Sequence, residues 1–178
     1  LLMQAEALAS TLATAAAKRK DNDGRLLALS SAAIATAELA AFSPPGPKRA
    51  QLLTRASTQI QKALEATSAA AKPDSVKAAM DQYCRVVTDR LALAPDLRSQ
   101  VALLQEWSRL SERAADLLEK VGATEISNEL RAQGMLNAQL PLALAPYSLG
   151  ELPLEVAKRQ LAGLLQDITK KGNKAQVE

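Results

Sequence analysis

Apolar residues recur along almost all of this chain at intervals of three and four, the spacing that gathers side chains on one flank of an α-helix. Residues that cannot continue a helix close each run. Ser43-Pro44-Pro45-Gly46-Pro47 is a hard break, since its prolines lack N–H donors and clash with the turn before them. Pro73-Asp74 and Pro95-Asp96 each end one helix and cap the next, while Gly122 and Pro141 stop two more. This punctuation predicts an all-α fold in a single domain of 178 residues. The expected architecture is an up-and-down antiparallel helix bundle, a four-helix unit over residues 1–94 extended by about three further helices.

The first helix is expected to place Leu1, Ala5, Leu8, Leu12 and Ala15 on one seam and to end near Lys18-Arg19-Lys20, cations suited to the negative end of a helix dipole. Asp21-Asn22-Asp23-Gly24 turns the chain, with Asp23 as N-cap of a second helix through Phe42. That helix has a narrow polar face, chiefly Ser31 and Glu38, which calls for neighbours on more than one side. Leu53, Ala56, Ile60, Leu64 and Thr67 form the seam of a third helix running to about Ala71, and Val76, Met80, Tyr83, Val87 and Leu91 that of the fourth. The fifth offers Leu97, Val101, Leu104, Leu110, Leu117 and Val121; the sixth begins near Thr124 and is weakened by Gly134. Leu140 to Tyr147 is apolar but contains two prolines, so it reads as an extended strap or broken turn. The last helix starts between Ser148 and Leu154, carries Val156, Leu161, Leu164, Leu165 and Ile168, and ends in a basic tail.

Composition narrows the chemistry. Histidine is absent and Cys84 is the single cysteine, which removes Ser-His triads, Cys-His dyads and the usual zinc, copper and haem ligand sets. No cofactor, no metal and no catalytic residue are expected. Basic and acidic residues nearly balance, 22 against 19, and aromatics are only 2% of the chain, so the charge and stacking of a nucleic-acid binder are missing. Alanine makes up about a fifth of the sequence, a composition that lets helices approach closely. No run approaches the ~20 apolar residues of a transmembrane segment, the nearest being Leu26 to Phe42, and the start lacks the layout of a signal peptide and looks trimmed.

Individual motifs are plain. Asp21-Asn22-Asp23-Gly24 fails the register of a calcium loop: with Gly24 at the sixth position, Arg19 and Ser30 would hold the first and twelfth. Cys84 lies beside the inward face set by Tyr83 and Val87 and reads as a small buried hydrophobe. Basic groups such as Lys18-Arg19-Lys20, Lys48-Arg49 and Lys158-Arg159 suit solvated helix ends, with a peripheral anionic surface as the alternative. A partner surface is expected at Leu140, Leu142, Leu144 and Tyr147 of the strap, with Trp107 as either a core residue or an interface anchor.

Pro44-Pro45-Gly46, the helix after it, Lys72-Pro73-Asp74-Ser75-Val76-Lys77-Ala78-Ala79-Met80 and then Tyr83-Cys84-Arg85-Val86-Val87-Thr88-Asp89-Arg90 together resemble the closing half of a cytochrome c′-type four-helix bundle. The resemblance extends at most over residues 1–94. It implies the bundle fold and an exported protein. In that family the last helix carries C-x-x-C-H for haem attachment; here Val87 stands at the second cysteine and Thr88 at the histidine, so the resemblance implies a bundle without haem.

Exclusion of catalytic chemistry leaves a non-enzymatic interaction or scaffold module with a protein partner or homo-oligomer as the leading expectation. A sensory or small-ligand-binding bundle, with a cavity near Glu38, Tyr83 or Arg85, is the alternative. An enzyme using paired inward carboxylates is a third, with Glu38 as its conspicuous acid.

Overall fold

The computed structural model describes residues 1–67 and 71–175, with the side chains of 168 and 170–175 excepted. It is all helical, and no strand occurs among the described residues. The elements are α1 (Leu2–Lys18), α2 (Asn22–Ala41), α3 (Pro47–Glu65), α4 (Pro73–Leu93), α5 (Leu97–Lys120), α6 (Thr124–Gly134), a π-helical turn (Met135–Gln139), α7 (Leu140–Ser148) and α8 (Leu154–Ala175). Helix α2 lies against α1, α3 and α4; α4 packs on α3 and α5; α5 carries α6 and the π-turn; α8 rests on α7.

The core is where the seams of α3, α4 and α5 meet. Leu53, Ala56, Ile60, Leu64 and Thr67 are all buried, as their spacing predicts, and so are Val76, Met80, Tyr83 and Val87. On α5 the buried stripe runs through Leu104, Trp107, Leu110, Ala114 and Leu118, while Leu117 is half-buried and Val121 lies at the surface. Asp96 caps α5 by accepting from the Ser99 N–H at 2.7 Å. Asp21, not the expected Asp23, caps α2: its Oδ1 accepts from the Gly24 N–H at 2.8 Å, two residues earlier than the sequence reading placed the helix start.

Helix α1 departs from expectation on the face it buries. Glu6, Ala9, Ala13 and Ala16 point inward, whereas Leu1, Leu8 and Leu12 of the expected seam are exposed. Two seams of equal spacing run side by side on this helix, one small and one large. The buried flank of α2 is itself rich in alanine, with Ala28, Ala32 and Ala35, and backbones come closest where both faces are small. The small seam therefore takes the contact.

Leu140 to Tyr147 is a helix, not an extended strap. Pro141 falls in the first turn of α7, where its missing N–H costs least, directly after the π-turn whose Leu140 N–H reaches back to the Met135 carbonyl. Pro146 lies near the other end of α7 and gives up one ladder bond there, while its carbonyl accepts from the Glu151 N–H at 2.8 Å to close the helix. Two prolines read as breaks are thus absorbed at helix ends.

Gly134 also has a packing reason. A Cβ at this position would stand 2.6 Å from Ser111 Cβ on α5, and both residues are buried. Glycine is what lets α6 approach α5. Gly134→Ala is therefore expected to destabilise the protein by about 1 kcal/mol, because overpacking of about 1–3 kcal/mol exceeds the gain of at most about 1 kcal/mol in helix propensity. Urea melts of this variant and of Gly134→Ala combined with Ser111→Gly check the point; the second change should restore the loss.

By length and apolarity α2, with a mean hydropathy of 1.2 over its best window, is the one described helix that meets the requirement for crossing a membrane. This goes further than the sequence reading, which found no such stretch. In the fold the same helix packs against α1, α3 and α4, with 44% of that window buried.

Candidate functional surfaces and grooves

A polar network crosses the interior between α3, α4 and α5. The fully buried Tyr83 donates its hydroxyl to Glu106 Oε1 at 2.8 Å. Arg90 donates to Ser57 Oγ at 2.7 Å and stands 3.9 Å from the same Glu106 oxygen. Burial raises the Tyr83 phenol well above its ordinary range, and the neighbouring Glu106 carboxylate adds to the effect. A cleft of about 380 Å³, lined by Leu53, Leu93 and Leu103 together with Arg90 and Glu106, opens beside this network. The acid and the cation hold one another and the tyrosine, which is the chemistry of a structural tie across three helices. Glu106 is the inward acid that sequence reading missed. Its position, one residue before Trp107 on an amphipathic helix, carried no sign of burial. Glu38, the acid singled out instead, is on the surface near Arg85 at 3.9 Å. Glu6 is a more deeply enclosed carboxylate, paired with Arg55 at 2.6 Å.

A second depression, about 530 Å³, lies where α4 and α5 meet the junction of α6 and the π-turn. Asp81, Cys84, Arg85 and Asp89 of α4, Trp107 of α5, Gln133 of α6 and Asn137 of the π-turn line it. Burial pushes the Cys84 thiol up to about 11, with the Asp81 charge acting in the same direction. At pH 8 its thiolate fraction is then about a hundredfold below that of a free cysteine. Iodoacetamide is expected to modify Cys84 in the native protein at least two orders of magnitude more slowly than in urea at that pH, and mass spectrometry of timed quenches checks it. The Thr88 hydroxyl donates to the Cys84 carbonyl of its own helix, and Val87 is buried in the core. Among the described residues no three His, Cys, Asp or Glu side chains gather as a metal site.

The expected partner surface is divided by the fold. Trp107 is only 4% exposed and belongs to the core; Leu142 is half-buried and packs against that core, and Leu140 is half-buried. Leu144 and Tyr147 reach the surface. Of the basic groups, Lys18, Arg19 and Lys20 are exposed at the α1–α2 turn, and Lys158 pairs with Glu155.

A larger apolar surface lies on the α1–α2 hairpin, where Leu8, Leu12, Leu27 and Ile34 are 62%, 54%, 48% and 37% exposed. One α3 side chain fixes their direction. Gln59 donates to Glu6 on α1 and receives a hydrogen bond from Thr36 on α2. Leu8 and Ile34 are each two residues from those positions, about 200° around their helices, and so both face away from α3. The short turn between the helices sets Leu12 level with Leu27 and Leu8 close to the level of Ile34. No family model, curated protein or solved structure matches the chain.

Proposed function

We propose that this chain is a non-enzymatic helical interaction module, and that its α1–α2 face joins a second copy of itself. The observation that carries the reading is the exposed seam of Leu8 and Leu12 beside Leu27 and Ile34. Leu1, Ala5, Leu8, Leu12 and Ala15 repeat at 4-3-4-3 spacing, the pattern by which one helix takes up another along its length. A hairpin open on one side completes a four-helix arrangement with a second hairpin related by a two-fold axis. Charge favours the same occupant. Neither the stretch from Ala7 to Ala17 nor that from Leu26 to Ala37 contains a charged residue, so two identical faces meet without repulsion. An anionic membrane would instead call for cations interleaved along the seam, and here they are confined to the turn at Lys18-Arg19-Lys20.

The absence of histidine and the engagement of Glu106 by Tyr83 and Arg90 support the non-enzymatic part of the reading. Light scattering behind gel filtration tests the pairing. The expected mass at micromolar concentration is twice 18.9 kDa, falling to the single-chain value in Leu8→Lys/Leu12→Lys with an unchanged far-UV spectrum. A wild-type monomer, or a dimer that persists through both lysine substitutions, overturns the proposal.

A further inference from the structure

The tie between α3, α4 and α5 occupies only part of each charged group in it. Both contacts of the Glu106 carboxylate, from the Tyr83 hydroxyl and from Arg90, fall on Oε1, and both contacts of the Arg90 guanidinium are made by Nη1. Glu106 Oε2 and the Nε and Nη2 donors of Arg90 have no hydrogen-bond partner among the described residues, and none of these atoms is shut off from solvent. Their side chains are nevertheless largely enclosed, 17% exposed for Arg90 and 25% for Glu106. Both line the cleft of about 380 Å³ beside the tie, and they are its only charged residues. Two opposite charges 3.9 Å apart, each with spare hydrogen-bonding capacity, thus share the wall of a half-enclosed space where water screens them less than at an open surface.

The rest of the lining is mostly apolar. Leu53, Leu93 and Leu103 come from three different helices, and Thr54 and Ser99 supply the only other polar side chains, the Thr54 hydroxyl being taken up by the Ala50 carbonyl of its own helix. The volume lies within the ~300–1,000 Å³ of small-ligand sites. Charge then selects the occupant. A simple anion gains Arg90 but meets the repulsion of Glu106, and a simple cation meets the reverse. A molecule with both charges on one carbon satisfies both groups and leaves the site neutral, while an apolar branch on that carbon covers the leucines.

We propose that this cleft binds a free α-amino acid with a branched apolar side chain. Its carboxylate accepts from the Arg90 guanidinium, and its ammonium group donates to Glu106 Oε2. The site is independent of the α1–α2 face and stands or falls separately from self-association.

Titration of the full chain with L-leucine, followed through the backbone amide signals of Leu93 and Leu103 in nitrogen-correlated proton spectra, tests it. Three controls dissect the ligand: isocaproate keeps the branched chain and the carboxylate, isoamylamine the branched chain and the amine, and glycine both charges without the chain. The expected result is a saturable shift with leucine and at least tenfold weaker binding of each control. Ala102→Trp fills the cleft from an exposed position outside the tie and should weaken leucine binding at least tenfold with an unchanged far-UV spectrum. Signals unmoved by leucine up to its solubility overturn the proposal. Isocaproate or isoamylamine binding as tightly as leucine overturns it in favour of an anion or a cation site, and glycine doing so removes the role of the leucines. Binding undiminished in a folded Ala102→Trp overturns the location. Should that variant fail to fold, the wild-type ligand series decides.

Discussion

Leu64→Ala is expected to lower the free energy of unfolding by about 2–5 kcal/mol, the largest stability loss foreseen for a single substitution in this protein. Leu64 is 1% exposed and sits in the cluster that joins α2, α3, α4 and α5, beside Ile60, Tyr83 and Leu110. Removing its branched end takes away the transfer energy of three carbons and leaves a void that rigid helices on all sides cannot close. Urea melts followed by circular dichroism measure it. A loss below about 0.5 kcal/mol would place the residue outside the core and overturn the packing described for α3.

Alkaline pH should destabilise the protein through Tyr83. Its phenol is raised from the ordinary value of 10.0, mainly by burial and then by Glu106. Tyrosine is neutral below that value, so the folded and unfolded chains bind the same proton there and no penalty exists. Above pH 10 the unfolded chain releases the proton while the folded one retains it, and stability falls by about 1.4 kcal/mol per pH unit. Between pH 10 and 12 the loss attributable to this group should approach about 2–3 kcal/mol. Lysine and arginine titration acts on any variant alike, so comparison with Tyr83→Phe isolates the effect. The variant should lose about 1 kcal/mol at neutral pH with the hydrogen bond to Glu106, yet show the shallower alkaline slope. Parallel slopes would mean that the hydroxyl ionises in the folded protein.

Helix existence was legible in the sequence because period and punctuation are local properties. Every residue expected on the α3 seam is buried, as are those of α4 except the partly buried Leu91, and Asp96 caps α5 where Pro95-Asp96 implied it. Local rules failed where a proline or a second seam left two solutions. Pro141 and Pro146 forbid the middle of a helix but not its first or last turn, and the π-turn before Pro141 has no sequence mark. On α1 the pattern of leucines pointed to a buried seam, yet Ala9, Ala13 and Ala16 face α2. Of the expected partner surface, Leu144 and Tyr147 reach solvent and Trp107 takes the core place that was one of its two readings, while a further exposed apolar face lies on α1 and α2.

The sequence by itself determined the all-helical class, most helix boundaries to within a few residues, and the exclusion of histidine chemistry, because each follows from residue type and spacing along one segment. Only the tertiary structure decided which side of α1 is covered, that Glu106 rather than Glu38 turns inward to Tyr83 and Arg90, and that Trp107 belongs to the core. These depend on how closely neighbouring helices approach and at what rotation, quantities set jointly by residues far apart in the chain, such as Gly134 against Ser111 and the alanines of α1 against those of α2.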